Sequence, residues 1–266
     1  MSRQLHTYTR GIPREGTALV FLHGFMGSGQ EWLPIVEGLE PDVPYVLVDL
    51  PGHGASVEMP PEAYTFAGAV EAIAATLQRE KVTRPLFIGY SMGGRLALAL
   101  ALEYGSRCAG LWMESASPGI EESSRRRERL VLDRQRAEQL KADFEQFLAD
   151  WYRLPLFRTL QRYPERLEQL YQRRKQQVPE ELARALVGMS PAHQPNYWPE
   201  LSTLTMPVSY ICGQEDERYV CVARRVKQRL PSAGVHVFPD VGHRVHLEAP
   251  DAYIRELSTF IRTCIS

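Results

Sequence analysis

Short, continuous apolar runs separated by longer amphipathic stretches dominate the pattern of this chain. The runs cover residues 18–22, 45–50, 86–90, 110–113, 208–212 and 235–238, and a weaker one lies near residues 6–9. Runs that are apolar at every position are typical of parallel strands buried on both faces. Helical periodicity lies between them, at residues 31–39, 65–81, 219–230 and 250–264. This alternation predicts an α/β fold with a mostly parallel central sheet and helices on both faces.

The segment between residues 118 and 198 has a different pattern. It is helical, rich in Arg, Glu, Gln and Leu, and contains no strand-like run. We interpret it as a helical cap inserted into a core made of residues 1–117 and 199–266. The cap contains about 15 arginines and lysines against about 12 aspartates and glutamates, so it carries roughly +3 and the remainder roughly −4. Most of these charges are expected on solvated helix faces.

The apolar run at residues 86–90 leads into a G-x-S-x-G sequence, Gly89-Tyr90-Ser91-Met92-Gly93, and then into a small-residue helix. This pattern predicts a nucleophile elbow, in which a sharp strand-to-helix turn exposes the serine hydroxyl. The glycines leave room for the tightly reversed backbone. Because the turn aims a helix N-terminus at Ser91, we expect the backbone N–H of Met92 to donate to an oxyanion.

A serine needs a general base, and four histidines follow the elbow: His193, His236, His243 and His246. His236 alternates with apolar neighbours in a predicted strand, and His193 lies among prolines in the cap. His243 follows the last predicted strand, where a loop brings it over the elbow. We therefore predict His243 as the base, with His246 as the alternative.

The acid that orients the base should follow the preceding strand, because the chain order of such triads is Ser, Asp or Glu, His. The loop after residues 208–212 offers three carboxylates, of which Asp216 is our choice and Glu215 the alternative. A second oxyanion donor is expected from the backbone N–H of Phe25, in the glycine-rich loop after the run at 18–22. Losing one such donor typically costs about 3 kcal/mol of transition-state stabilisation.

Composition narrows the classes of function. With 266 residues the chain is long enough for one large core, and its net charge of −1 gives no reason to expect nucleic-acid binding. The four cysteines form no C-x-x-C pair, so we expect no metal and no cofactor. There is no apolar stretch typical of a signal peptide or a membrane span. We expect a soluble protein of the cytoplasm, whose oligomeric state the sequence leaves open.

Several motifs together resemble the α/β-hydrolase superfamily. They are Leu22-His23-Gly24-Phe25, Asp49-Leu50-Pro51-Gly52-His53-Gly54, the elbow, and Gly242-His243. The resemblance implies the α/β-hydrolase fold and a Ser91–His243–Asp216 triad. It says less about the reaction, since the superfamily contains esterases, C–C hydrolases, haloperoxidases and dehalogenases. Ser91 argues against the dehalogenase and epoxide hydrolase branches, which carry Asp at the elbow.

One branch is matched more specifically. Ser115-Ala116-Ser117-Pro118-Gly119, the stretch from Arg129 to Arg134, and the stretch from Asp150 to Phe157 are similar to the 2-succinyl-6-hydroxy-2,4-cyclohexadiene-1-carboxylate synthases. These enzymes are pyruvate-releasing lyases of menaquinone and phylloquinone biosynthesis. The resemblance implies substrate-binding roles for Tyr90, Arg95, Arg129, Trp151, Tyr152, Phe157 and Arg174. At the last position Arg173 adjoins Arg174, and the surrounding sequence, including Gln177-Val178-Pro179, departs from the family pattern.

The implied substrate carries three carboxylates, and a planar guanidinium can bind a carboxylate through two parallel N–H bonds. Arg95, Arg129 and Arg174 would match it charge for charge. The triad combined with a cationic cap suits a small polyanion, and our hypothesis is that Ser91, activated by His243 and Asp216, acts as a base for elimination. The alternatives are a carboxylesterase, thioesterase or C–C hydrolase with the same triad, and a ligand-binding member of the fold without catalysis.

Overall fold

A seven-stranded sheet forms the centre of the computed structural model, which describes residues 4–11, 16–40 and 43–265. The strands are β1 (Thr7–Arg10), β2 (Thr17–Leu22), β3 (Tyr45–Val48), β4 (Arg84–Tyr90), β5 (Gly110–Glu114), β6 (Val208–Gly213) and β7 (Gly234–Phe238). Their order is β1-β3-β2-β4-β5-β6-β7. Strand β1 pairs antiparallel with β3, and the other neighbouring pairs are parallel. The predicted mostly parallel sheet is confirmed.

Ten α-helices surround this sheet within the described ranges. They are α1 (Leu33–Glu37), α2 (Phe66–Arg79), α3 (Met92–Tyr104), α4 (Ser123–Ala142), α5 (Phe144–Arg153), α6 (Pro164–Arg174), α7 (Pro179–Gly188), α8 (Glu217–Arg229), α9 (Val245–Glu248) and α10 (Pro250–Ile265). A 3-10 segment, Gly29–Trp32, precedes α1, and another, Pro155–Arg162, follows α5. The predicted helix at residues 31–39 is therefore shorter than expected and begins as a 3-10 turn.

Alternation along the strands produces two separate apolar layers. In β2, Leu19 and Phe21 pack on one face, and Val20 and Leu22 pack on the other. Helices α1 and α10 supply buried side chains to the first layer, and α2, α3 and α8 supply them to the second. Both faces are covered, which explains why the central strands are apolar at nearly every position.

Helices α4 to α7 follow one another between β5 and β6 and have an apolar cluster of their own. Leu140, Leu148, Leu170 and Leu182 belong to it, and Met26 from the loop after β2 packs into the same cluster. These helices therefore pack on the loop end of the sheet. The cap boundaries at residues 118 and 198 stay a prediction, and residues 1–3, 12–15, 41–42 and 266 of the predicted core lie outside the described residues.

The order of the strands decides where a site can form. The chain adds β3 on one side of β2 and then β4 on the other, so the direction of winding reverses between β2 and β4. Ligands of open α/β sheets bind outside the carboxyl ends of the strands at such a point. The Phe25 loop follows β2 and the elbow follows β4, on either side of it. In the part of the chain that is described, no helix is long and apolar enough to cross a membrane.

Candidate active site

Ser91 lies at the turn between β4 and α3 in a strained backbone conformation, with φ of 51° and ψ of −107°. A non-glycine residue rarely adopts a positive φ unless its surroundings enforce it. The surroundings here leave no space: a Cβ at Gly89 would lie 2.5 Å from the Gly93 carbonyl oxygen, and one at Gly93 would lie 2.1 Å from that of Leu22. The Ser91 N–H donates to the Glu114 carbonyl at 2.8 Å, which holds the turn against β5.

The structure brings Ser91, His243 and Asp216 together in the predicted order. Ser91 Oγ lies 3.2 Å from His243 Nε2, and His243 Nδ1 lies 2.6 Å from Asp216 Oδ2. Since the carboxylate accepts the Nδ1 proton, Nε2 presents its lone pair to the serine hydroxyl. His243 and Asp216 are both buried, which shields this proton path from water. The arrangement can remove a proton from Ser91, or from a substrate through Ser91.

The two alternatives for these positions have other partners. The Glu215 carboxylate pairs with Arg162 at 2.6 Å and with Arg158, and the hydrogen bond from Arg162 holds the pKa of Glu215 below its usual range. His246 is buried against Glu114, with Nδ1 2.8 Å from a carboxylate oxygen. Neither residue contacts Ser91, so geometry favours Asp216 and His243.

A buried carboxylate fixes the loop that carries His243. The Glu248 side chain accepts the backbone N–H of Gly242 at 3.0 Å and that of Arg244 at 3.3 Å, the two residues flanking the histidine. Arg166 of α6 in turn donates to the carbonyls of Leu247 and Glu248. The imidazole therefore lies on a loop fixed from both sides, and a helix between β5 and β6 contributes to its position.

The loop after β2 can supply an oxyanion hole together with the elbow. The backbone N–H groups of Phe25 and Met92 have no acceptor among the described residues, and both residues line the same cavity as Ser91. A Cβ on Gly24 would lie 2.5 Å from the Tyr90 ring, so this loop passes directly over the residue before the serine. Two N–H donors beside a serine are suited to a developing oxyanion.

Two buried histidines and one aspartate support the Phe25 loop. His23 Nδ1 donates to the Gly24 carbonyl and Nε2 accepts the Leu50 N–H, while Asp49 accepts the N–H groups of Gly29 and Ala55. The ring of His53 lies 5.1 Å from that of His23 and 5.7 Å from that of Phe25. Burial lowers the pKa of His23 and holds that of His53 well below its usual value, so both rings are neutral near pH 7.

A cavity of about 700 Å³ opens over the serine between the sheet and helices α4 to α7, which together with the 3-10 segment Pro155–Arg162 are called the cap helices below. All but two of the predicted site residues line it: Phe25, Tyr90, Ser91, Met92, Arg95, Arg129, Trp151, Tyr152, Phe157 and His243. Asp216 lies behind His243, as an orienting acid should. Arg174 is the other residue that does not reach the cavity wall.

Arg95 and Arg129 place two guanidinium groups at one part of this wall. Arg95 is buried and donates from Nη2 to the Met189 carbonyl at 2.8 Å, while its Nη1 has no partner among the described residues. Desolvation, followed by repulsion from Arg129, lowers the pKa of Arg95 to about 10. Arg129 donates from Nε to Asp133 at 2.8 Å, and Ser190 donates to the same carboxylate oxygen. A buried guanidinium with unused donors favours an anionic ligand.

Arg174 differs from the predicted role. Its guanidinium is buried, pairs with Glu31 and donates from Nε to the Tyr152 hydroxyl at 3.2 Å. Although burial opposes it, the charges of Arg174 and Arg244 hold the pKa of Glu31 well below its usual range. Arg174 therefore contacts a carboxylate of the protein itself and supports Tyr152 from behind, whereas the resemblance implied direct substrate contact.

Cap aromatic residues cover the catalytic centre. The Phe157 ring lies 5.9 Å from the His243 ring and 5.4 Å from the Tyr152 ring. The Trp151 ring lies 5.4 Å from Phe25 in an edge-to-face arrangement, and the guanidinium carbon of Arg136 lies 5.3 Å from its centroid. These rings connect the cap to the oxyanion loop and place apolar surface beside the base.

Known proteins share this architecture and much of the sequence. The Alpha/beta hydrolase family matches residues 19–256. The 2-succinyl-6-hydroxy-2,4-cyclohexadiene-1-carboxylate synthase of Yersinia pestis (strain Pestoides F) is 36% identical over 249 residues, 92% of this chain and 88% of that protein. The chain belongs to the alpha/beta hydrolase family, and within it to the family of these synthases. The predicted fold and family are thereby confirmed.

Solved structures of the alpha/beta hydrolase family share the fold of this chain. MenH from S. aureus has a TM-score of 0.90, is 30% identical, and the match covers 99% of both chains. A thermophilic esterase from Thermogutta terrifontis, with malate bound, has a TM-score of 0.84 and 26% identity, with 98% of this chain and 94% of that chain covered. The fold thus accommodates both synthase and esterase relatives.

Sequence reasoning missed three residues that shape this hydrolase-family site: Glu31, Arg244 and Glu248. Arg244 adjoins the predicted base, and its position in the sequence could have drawn attention to it. Glu31 and Glu248 carry no such signal, because an acid in a helix is usually solvated. Glu31 is buried through a contact far away in the sequence, with Arg174, whereas Glu248 is buried because the loop that carries His243 folds back on it within six residues.

Proposed function

We propose that this protein is a lyase that eliminates pyruvate from 2-succinyl-5-enolpyruvyl-6-hydroxy-3-cyclohexene-1-carboxylate and releases 2-succinyl-6-hydroxy-2,4-cyclohexadiene-1-carboxylate. The observation that carries the proposal is the presence, in one cavity, of a serine–histidine base together with Arg95 and Arg129. The names of its relatives support the same reaction. We assign the reaction to the cytoplasm, in the biosynthesis of menaquinone or phylloquinone.

In the first step Ser91 acts as the base. Its oxygen takes the proton from the ring carbon next to the succinyl ketone while the hydroxyl proton passes to His243 Nε2, 3.2 Å away. Asp216 stabilises the imidazolium that forms, through the 2.6 Å contact at Nδ1. The proton taken from the substrate therefore produces one net charge on the histidine, beside a carboxylate that balances it.

The second step moves an electron pair along the ring. The enolate oxygen formed at the succinyl ketone accepts hydrogen bonds from the N–H groups of Phe25 and Met92. The enolate electrons then form the bond between ring carbons 2 and 3, the former double bond shifts to carbons 4 and 5, and the carbon–oxygen bond at carbon 5 breaks. The leaving enolpyruvate takes up the proton held by His243, which restores the neutral imidazole, and becomes pyruvate. Serine forms no covalent intermediate in this sequence.

The cavity wall matches the charge of this substrate. The substrate carries three carboxylates, and Arg95 and Arg129 are suited to binding two of them. Tyr90, Trp151, Tyr152 and Phe157 cover the ring and keep water away from the enolate. The Asp133 carboxylate positions Arg129 by accepting from its Nε, which leaves the other guanidinium N–H groups for the ligand.

Release of pyruvate from the enolpyruvyl precursor tests the proposal. The wild type should release one pyruvate per product molecule, measured by a coupled reductase, and the Ser91→Ala variant should lose nearly all of this activity. If wild-type protein releases none, the proposed reaction is wrong.

A second candidate is a hydrolase that uses the same triad on an ester or thioester. The observation in its favour is the structural match to the Thermogutta terrifontis esterase. Here Ser91 would be acylated, and a burst of product equal to the amount of enzyme would precede steady turnover. Efficient hydrolysis of neutral esters, with little sensitivity to loss of Arg129, would favour this candidate over the lyase.

A further inference from the structure

Arg244 directly follows His243 and lines the cavity, although the sequence motifs assign it no role. Its side chain is only 4% exposed, and its guanidinium carbon lies 5.4 Å from the centroid of the Tyr90 ring. Tyr90 precedes the serine, so this charge lies beside the elbow. It lies on a different part of the wall from Arg95, which contacts Met189 and Phe66.

The hydrogen bonds of Arg244 leave part of its guanidinium unused. Nη2 donates to Glu31 at 3.0 Å and lies 3.5 Å from His246 Nε2. Neither Nε nor Nη1 has a partner among the described residues, and Nε is fully buried. A guanidinium has five N–H donors, so three of them have no acceptor here, and the two on Nη1 are not enclosed as Nε is. An arginine on a cavity wall with two unused donors on one nitrogen is suited to a carboxylate.

The neighbouring carboxylates use few of the Arg244 donors. Glu31 is shared between Arg244 and Arg174, so two guanidinium groups face one carboxylate. Glu114 contacts Nδ1 of His246 at 2.8 and 2.9 Å, and Glu248 accepts the backbone N–H of Arg244 rather than its guanidinium. Of Arg174, Glu31 and Arg244, only Arg244 lines the cavity.

We propose that Arg244 binds the third carboxylate of the substrate, and that Arg174 and Glu31 hold its guanidinium in position. This inference rests on the proposed function for the identity of the ligand, and it names the residue that completes the set begun by Arg95 and Arg129. Three guanidinium groups on separate parts of the wall then match three carboxylates. Anions with a single carboxylate bind this site more weakly, because they leave two buried guanidinium groups unpaired.

The test measures how strongly tricarballylate, a simple tricarboxylate, slows the labelling of Ser91 by a fluorophosphonate probe. This measurement does not require the lyase reaction. In Arg244→Met the half-protecting concentration should rise at least tenfold, while the labelling rate without ligand stays near that of the wild type. Arg127→Met removes an equal charge from an exposed position of α4 that does not line the cavity, and should change protection less than twofold.

The double variant Glu31→Gln/Arg244→Met separates direct contact from overall charge, since it restores the net charge of the cluster but not the Arg244 donors. We expect protection to stay weak in this double variant.

Recovery of protection to the wild-type value in the double variant, or unchanged protection in Arg244→Met, would overturn the inference. If Arg244→Met instead slows labelling without ligand as strongly as it weakens protection, Arg244 only positions His243, and the inference is also wrong. Wild type that releases no pyruvate but shows Arg244-dependent protection would refute the lyase reaction alone.

Discussion

The loop edge of the sheet and the cap helices build the two halves of one cavity by different means. At the sheet edge, Ser91, Asp216 and His243 each follow a strand, and the parallel pairing of those strands brings them together. In the cap, Arg129, Trp151 and Phe157 lie on helical segments whose rotation is set by side-chain packing. The groups that move a proton all lie at the sheet edge, whereas the groups that recognise charge come from both halves, Arg95 and Arg244 from the sheet side and Arg129 from the cap. A change in the cap can therefore alter substrate binding without changing the groups that move the proton.

Among the variants that affect only one half of the cavity, we expect the largest change in activity from Asp216→Asn. An amide in place of the carboxylate favours the wrong histidine tautomer, and in serine triads this change lowers kcat by about 10⁴. KM, which in this account depends on the arginines and aromatic rings that contact the substrate, should change little. Steady-state pyruvate release measures both parameters. The neighbouring Glu215→Gln is the control, since the ion pairs of Glu215 within the described residues are with exposed arginines, and an equal loss there would contradict the assignment of the acid.

A cap variant should show the opposite pattern. Arg129→Met removes one charged partner of the substrate, and hydrogen bonds to charged groups are worth about 1.5–3 kcal/mol, so KM should rise about 10- to 100-fold. The reaction of Ser91 with a neutral fluorophosphonate should stay near the wild-type rate. Arg127 lies on the same helix, is exposed and does not line the cavity, so Arg127→Met provides the matched control. A fall in kcat with unchanged KM would place Arg129 in the chemistry and break the division between the halves.

The smallest expected effect concerns the stability of the sheet-edge loops. Burial holds the pKa of His53 well below 6.5, its usual value, and also lowers that of His23. The unfolded chain therefore binds more protons than the folded one just below pH 6.5, and stability falls as pH decreases from there. Thermal unfolding followed between pH 8 and 5 should show this loss. In His53→Asn the slope below pH 6.5 should be smaller, and a slope equal to that of the wild type would remove His53 as its source.

The same contrast explains how far the sequence could predict the structure. The sheet and the positions of Ser91, Asp216 and His243 followed from apolar runs and from the residues just after them, because strand ends of a parallel sheet meet at one edge. Whether Arg173 or Arg174 faces inward could not follow from the sequence, since adjacent residues on a helix point about 100° apart and packing decides between them. Arg174 does face inward, but it pairs with Glu31 away from the cavity.

The most direct test of the account is single-turnover reaction of the enolpyruvyl substrate with excess wild-type enzyme and with Ser91→Ala. Pyruvate and the cyclohexadiene product should appear together at the same rate in the wild type, with no serine-bound intermediate detected by mass spectrometry of quenched protein, and both should be nearly absent in the variant. An acylated Ser91 peptide that accumulates before product, or pyruvate release that survives in Ser91→Ala, would contradict the role of the serine as the base for elimination.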